Sequence, residues 1–93
     1  MPTYALLLTW TDQGRRNAAT LPDRAQEVFE RFRELGGKEI GHYLTMGRFD
    51  QIVIVEAPDD ETIARFAVMI AGRGNVVSET LRCFSMDEMR GLI

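Results

Sequence analysis

Tyr4-Ala5-Leu6-Leu7-Leu8 and Ile52-Val53-Ile54-Val55 are unbroken apolar runs. A strand with one face in water alternates apolar and polar residues, so each run marks a strand that is apolar on both faces. The first run lies in a strand from Thr3 to Trp10, and a polar loop follows, Thr11-Asp12-Gln13-Gly14-Arg15-Arg16-Asn17. A helix is predicted to begin near Thr20 to Pro22. Thr20 serves as its N-cap, Pro22 suits the first turn, and Asp23 is an acid at the positive end of the dipole. Its apolar positions, Leu21, Ala25, Val28, Phe29, Phe32 and Leu35, draw one stripe that Gly36-Gly37 closes.

Lys38 to Met46 reads as a second strand, with Ile40, His42, Leu44 and Met46 on one face and Glu39, Gly41, Tyr43 and Thr45 on the other. Gly47-Arg48-Phe49-Asp50 connects it tightly to the third strand, Gln51 to Glu56. Pro58-Asp59-Asp60 ends that strand and caps a second helix whose buried stripe is Ile63, Phe66, Ala67 and Ile70. Gly72-Arg73-Gly74-Asn75 stops the helix, Val76 to Phe84 forms the fourth strand, and Ser85-Met86-Asp87-Glu88 spells a capping box for a terminal helical turn.

With right-handed crossovers this order predicts an α+β fold, the ferredoxin-like βαββαβ plan. Its antiparallel four-stranded sheet runs 4-1-3-2, with two helices on one face. The central places then fall to the first and third strands, the two with continuous apolar runs. Their second face has no helix to cover it. At about 25 cal/mol per Å², burying that face against a second copy contributes several kcal/mol before association costs. A dimeric α/β-barrel type of assembly is therefore expected, with Val53 as a position to probe it. The alternative is a monomer whose residues Met86 to Ile93 fold back over the sheet, using Met86, Met89, Leu92 and Ile93.

The chain of 93 residues reads as a single domain, 1–93. A formal net charge of -3 argues against nucleic acid as a partner. No apolar stretch approaches the roughly 20 residues that span a bilayer, and no secretory leader is evident, so no membrane partner is expected. The single cysteine, Cys83, forms no disulfide within the chain, which suits a cytoplasmic location.

Three stretches carry a family resemblance: Tyr43-Leu44-Thr45-Met46-Gly47-Arg48-Phe49-Asp50, Glu56-Ala57-Pro58-Asp59-Asp60 and Gly74-Asn75-Val76. With Tyr4, Leu6, Thr9, Gly14 and the helix start Pro22-Asp23-Arg24, they make the chain resemble the GYD-domain family over nearly its whole length. The resemblance implies a small ferredoxin-like domain akin to dimeric α/β barrels and carries over no catalytic residue. Phe49 departs from the tyrosine that the family name expects, so a role for a phenolic hydroxyl there is not implied.

The topology brings the loops Trp10 to Thr20, Met46 to Asp50 and Gly72 to Asn75 to one end of the sheet. Asp12, Arg15, Arg16, Asn17, Arg48, Asp50, Arg73 and Asn75 gather there among glycines, a composition suited to an anion. The plainer reading is that the glycines serve turns and that Asp50 accepts backbone N–H bonds in the hairpin. Tyr43 and Thr45, with Ser78, Thr80 and Arg82 in uncertain direction, form a polar set facing the partner sheet, and Trp10 either walls a pocket there or closes the core. His42, the only histidine, is either a packed edge residue or an acid–base group, alongside Tyr43 and Asp50. His42 and Cys83 lack metal-ligand spacing, so no metal and no cofactor is expected. Two functional readings stand: a homo-oligomeric small-molecule or anion-binding or regulatory module, and a cofactor-independent enzyme, isomerase or monooxygenase-like, acting on a small hydrophobic substrate between the sheets.

Overall fold

The structure is a computed structural model that describes residues 1–93. Strands β1 (Thr3–Trp10), β2 (Lys38–Leu44), β3 (Gln51–Glu56) and β4 (Val76–Cys83) form one antiparallel sheet in the order β2-β3-β1-β4, which is 4-1-3-2 counted from the opposite edge. Helices α1 (Asp12–Arg16), α2 (Leu21–Glu34), α3 (Asp60–Ala71) and α4 (Met86–Arg90) complete the chain, with a 3-10 turn over Ala18–Thr20. No helix is long and apolar enough to cross a membrane.

The pairing register assigns every side chain to a face. Leu6 opposes Val53 on one side and Thr80 on the other, so Tyr4, Leu6, Leu8, Val53, Val55 and Val76 point together. They are buried against Val28, Phe29 and Phe32 of α2 and Ile63 and Phe66 of α3. The Phe32 and Phe66 rings stack with centroids 4.1 Å apart, a pairing worth about 1 kcal/mol beyond the area it buries. Ala5, Leu7, Ile52 and Ile54 point the other way, to a face on which no helix packs. Val53, 1% exposed, therefore belongs to the core under the helices, and Ile52 and Ile54 are the residues of the bare face.

Local signals act as their chemistry requires. Helix α2 ends in a Schellman arrangement: Gly36, at φ +92°, donates to Arg33 O, and Gly37 donates to Phe32 O. The Asp59 carboxylate caps α3, accepting from the Thr62 hydroxyl and N–H, and these bonds hold it below its usual range. Ser85 and Glu88 exchange both bonds of a capping box at α4.

The structure departs from the sequence reading in local detail. The loop 11–17 contains a helix, α1, because the Thr11 hydroxyl caps it by accepting from the Gly14 N–H at 3.1 Å. Strand β2 stops at Leu44 and β4 at Cys83. In β2 the register slips between Glu39 and Gly41, so Ile40 is the extra residue of a bulge. Glu39 thereby joins His42 and Leu44 on the helix side, while Gly41 and Tyr43 share the bare side. Leu35 leaves its stripe at 42% exposure, and Met86 to Ile93, the alternative cover for the second face, are all exposed and do not blanket the sheet.

Candidate functional site

The three loops do meet at one end of the sheet, and their polar groups are largely spent on one another. The Thr11 N–H donates to Asn75 O at 3.0 Å and its hydroxyl to Gly74 O at 2.7 Å. Gln13 donates to Arg73 O and to Asn75 Oδ1, which also accepts from Asn17 Nδ2 at 3.5 Å. Gly14 is what lets α1 sit this close: a Cβ there would lie 2.0 Å from Asn75 O. Asp50 Oδ2 accepts the Trp10 N–H at 2.8 Å, and the Asp50 N–H donates to Leu8 O. Its carboxylate thus stitches β1 to the β2–β3 hairpin. Thr45 closes the same hairpin, donating its hydroxyl to Phe49 O and its N–H to Asp50 O.

Beneath this rim runs a chain of three side chains. The indole N–H of Trp10 is a donor only, so the Gln51 atom 2.8 Å from it is the carbonyl Oε1. Gln51 therefore presents its NH2 to His42 Nε2, 2.7 Å away, which makes Nε2 an acceptor and puts the imidazole proton on Nδ1. Burial pushes the His42 pKa below its ordinary 6.5, partly opposed by Glu39. The neutral ring packs edge-on against Phe29, centroids 5.5 Å apart. Gln51, 3% exposed, is the one buried polar side chain of the core face.

His42 and Gln51 wall two adjoining clefts, whereas Trp10 packs against the core and lines neither. The inner one, about 70 Å³, lies between α2, the end of α3 and the sheet, floored by Leu8, Val28, Val53 and Val76 with Arg24, Arg73 and Asn75 around it. The outer one, about 430 Å³, follows α2 along the edge strand β2 and includes Arg33 and Glu39. Leu21, Ala25, Phe29, His42 and Gln51 belong to both.

Of the candidates from sequence, the structure brings Trp10, His42, Asp50, Arg73 and Asn75 to this end of the molecule. Arg73 lies 3.7 Å from Glu27. Arg15 and Arg16 are exposed on α1, Arg15 paired with Asp12 at 3.3 Å, and Arg48 lies over the Phe49 ring at 5.0 Å. Arg82 is at the far end of the sheet, over the rings of Phe84 and Tyr4, bonded to Thr3 O and Cys83 O. There Tyr4 donates to Asp60 Oδ1, and its phenol is pushed up to about 12, first by burial and then by that carboxylate. Ser78, Thr80 and Arg82 share the helix side with Leu8, Leu6 and Tyr4, so they do not join Tyr43. His42, Tyr43 and Asp50 are not one acid–base constellation: Tyr43 points to the opposite face from His42, and Asp50 is held by Trp10. Sequence reasoning missed Gln51 and Arg24. Gln51 was visible as the polar member of the Gln51, Val53, Val55 face of β3.

The bare face is the second feature. Ala5, Leu7, Ile52 and Ile54 form its centre, flanked by Tyr43 on β2 (59% exposed) and, on β4, by Val77 (64%) and Leu81 (43%) with the exposed Glu79 between them.

The family model described as GYD domain matches residues 4–93. A Thermus thermophilus protein named "Glutamine synthetase and cystathionine beta-lyase binding protein" is 33% identical over 90 residues, spanning 96% of this chain and 95% of that protein. Among solved structures, the crystal structure of FFRP-DM1 matches with a TM-score of 0.58 at 20% identity, spanning 90% of this chain and 100% of that one, a likeness of fold.

Proposed function

The chain belongs to the GYD domain family, and from that premise we propose that it is a homo-oligomeric binding module that docks on metabolic enzymes and regulates them. The observation that carries this reading is the apolar sheet face that no part of the chain covers. Four strands about 4.8 Å apart, each rising about 3.3 Å per residue, give a face of roughly 500 Å² in projection, and more in accessible area. Two such faces together reach the range of roughly 1,000 Å² and above in which specific interfaces hold. The isologous solution pairs the face with itself across a twofold axis, sheet on sheet, in the manner of a dimeric α/β barrel. Tyr43 then lines whatever space remains between the sheets. Residues 1–93 act as one domain, and the free thiol of Cys83 fits a reducing cytoplasm.

The binding role draws support from the Thermus thermophilus relative, whose name states that it binds two enzymes. The enzyme reading has no comparable support, since its three acid–base candidates are dispersed or already bonded.

The test uses glutamine synthetase and cystathionine beta-lyase from the organism that makes this chain. One of the two is expected to bind the immobilised protein saturably and to change in activity. Absence of binding by either at roughly 10 µM, weak even for a transient contact, contradicts the docking role.

A further inference from the structure

On the helix side of the sheet, independent of any assembly through the bare face, Arg24 is singular. Its side chain is half-buried and bordered by the apolar inner cleft, yet it belongs to none of the chain's ion pairs. Uncharged groups orient it: Nε donates to Thr20 Oγ1 at 3.0 Å and Nη2 to Asn17 O at 2.7 Å. A positioned guanidinium with no carboxylate partner beside an apolar cavity keeps its remaining N–H donors available to an anion. Arg73, on the same cleft, is partly neutralised by Glu27 and does not compete for that role.

Asn75 adds a second donor. Its Oδ1 accepts from Gln13 and Asn17, its NH2 group makes no hydrogen bond within the chain, and the residue borders the cleft. Asn17 touches both residues, bonding Arg24 through its backbone carbonyl and Asn75 Oδ1 through its side-chain amide. Below them the wall is aliphatic: Leu8, Val28, Val53 and Ile70. A space of about 70 Å³ equals about five water-sized occupants, room for a short branched chain but not for a ring system. Glu39, on the adjoining outer cleft, disfavours a ligand carrying a second negative charge.

We propose that this cleft binds a small aliphatic monocarboxylate, its head group on Arg24 and Asn75 and its chain among Val28, Val53 and Ile70. Such a ligand wedges between α2, α3 and the sheet, and so offers the module a way to sense a metabolite.

Isovalerate is the probe, followed by methyl resonances of Val28, Val53 and Ile70 and by the ring signal of His42. Saturable shifts are expected with a Kd of about 1 mM, as befits so small a ligand. The uncharged isostere 3-methylbutanol is expected to bind at least about tenfold more weakly, one guanidinium contact being worth that factor. R24Q is expected to abolish the preference for the acid. Because R24Q also loosens the turn at Asn17, A25L serves as a second variant: it fills the cleft, keeps Arg24, and is expected to lose isovalerate. Equal affinity for alcohol and acid in the unaltered protein, undiminished binding in A25L, or no saturation by roughly 10 mM each overturns the assignment.

Discussion

Three side chains decide what kind of site lies under the rim. Trp10 can only donate, Gln51 must therefore turn its amide NH2 to His42, and His42 must accept. Protonating His42 would set donor against donor and charge a half-buried ring. Since the chain has a single histidine, its imidazole signals can be followed without ambiguity. They are expected to show the Nδ1–H tautomer and to titrate below 6.5; the Nε2–H tautomer or titration above 6.5 contradicts the bonding chain. A histidine whose folded pKa is lowered takes up its proton first in the unfolded chain, so its contribution is complete above about pH 6.5 and is lost as pH falls toward the folded value. Q51L should cost about 1–3 kcal/mol in a denaturant titration, because it leaves the Trp10 indole N–H without its acceptor. A loss under about 0.5 kcal/mol would mean the bond contributes little. At this scale Gln51 was legible as a polar intruder on an apolar strand face. The partner it chooses was not, because Trp10 and His42 reach it only through strand pairing.

Among the elements, β1, α2, β3 and α3 were legible from their periods: continuous runs for the central strands, and stripes closed by Gly36 for α2 and opened by the Asp59 cap for α3. Thr20 precedes α2 as expected, but its hydroxyl bonds Asn17 O and makes no cap bond. The misreadings have local causes. Helix α1 is five residues long and has almost no apolar face, so periodicity cannot reveal it; its cap, Thr11, was the only signal. The bulge at Ile40 reverses the parity of β2, and nothing in Lys38-Glu39-Ile40-Gly41 announces it. The docking of α1 rests on Gly14. G14A drives a methyl group into the Asn75 carbonyl and is expected to destabilise the fold by about 1–3 kcal/mol, as overpacking does. Thermal or denaturant unfolding at wild-type stability would show that α1 shifts freely and does not hold the rim together.

For the molecule as a whole, the two apolar runs forecast a sheet covered on one side only, and the register bears that out residue by residue: Tyr4, Leu6 and Leu8 inward, Ala5 and Leu7 outward. What the runs alone could not show is which alternate residues take which side. Val53 proved to be inside and Ile54 outside, a choice fixed by how Gln51 and Leu8 pair at the end of the hairpin. The alternative cover, the segment from Met86 to Ile93, stays exposed. A second copy of the chain is the cover proposed for the bare face. Sedimentation velocity of the unaltered protein and of I54K, which sets a charge at the middle of that face, tests it most directly. Twice the subunit mass or more is expected for the unaltered protein and a folded single subunit for I54K; an unaltered protein that stays a single subunit up to roughly 100 µM would overturn the proposed assembly.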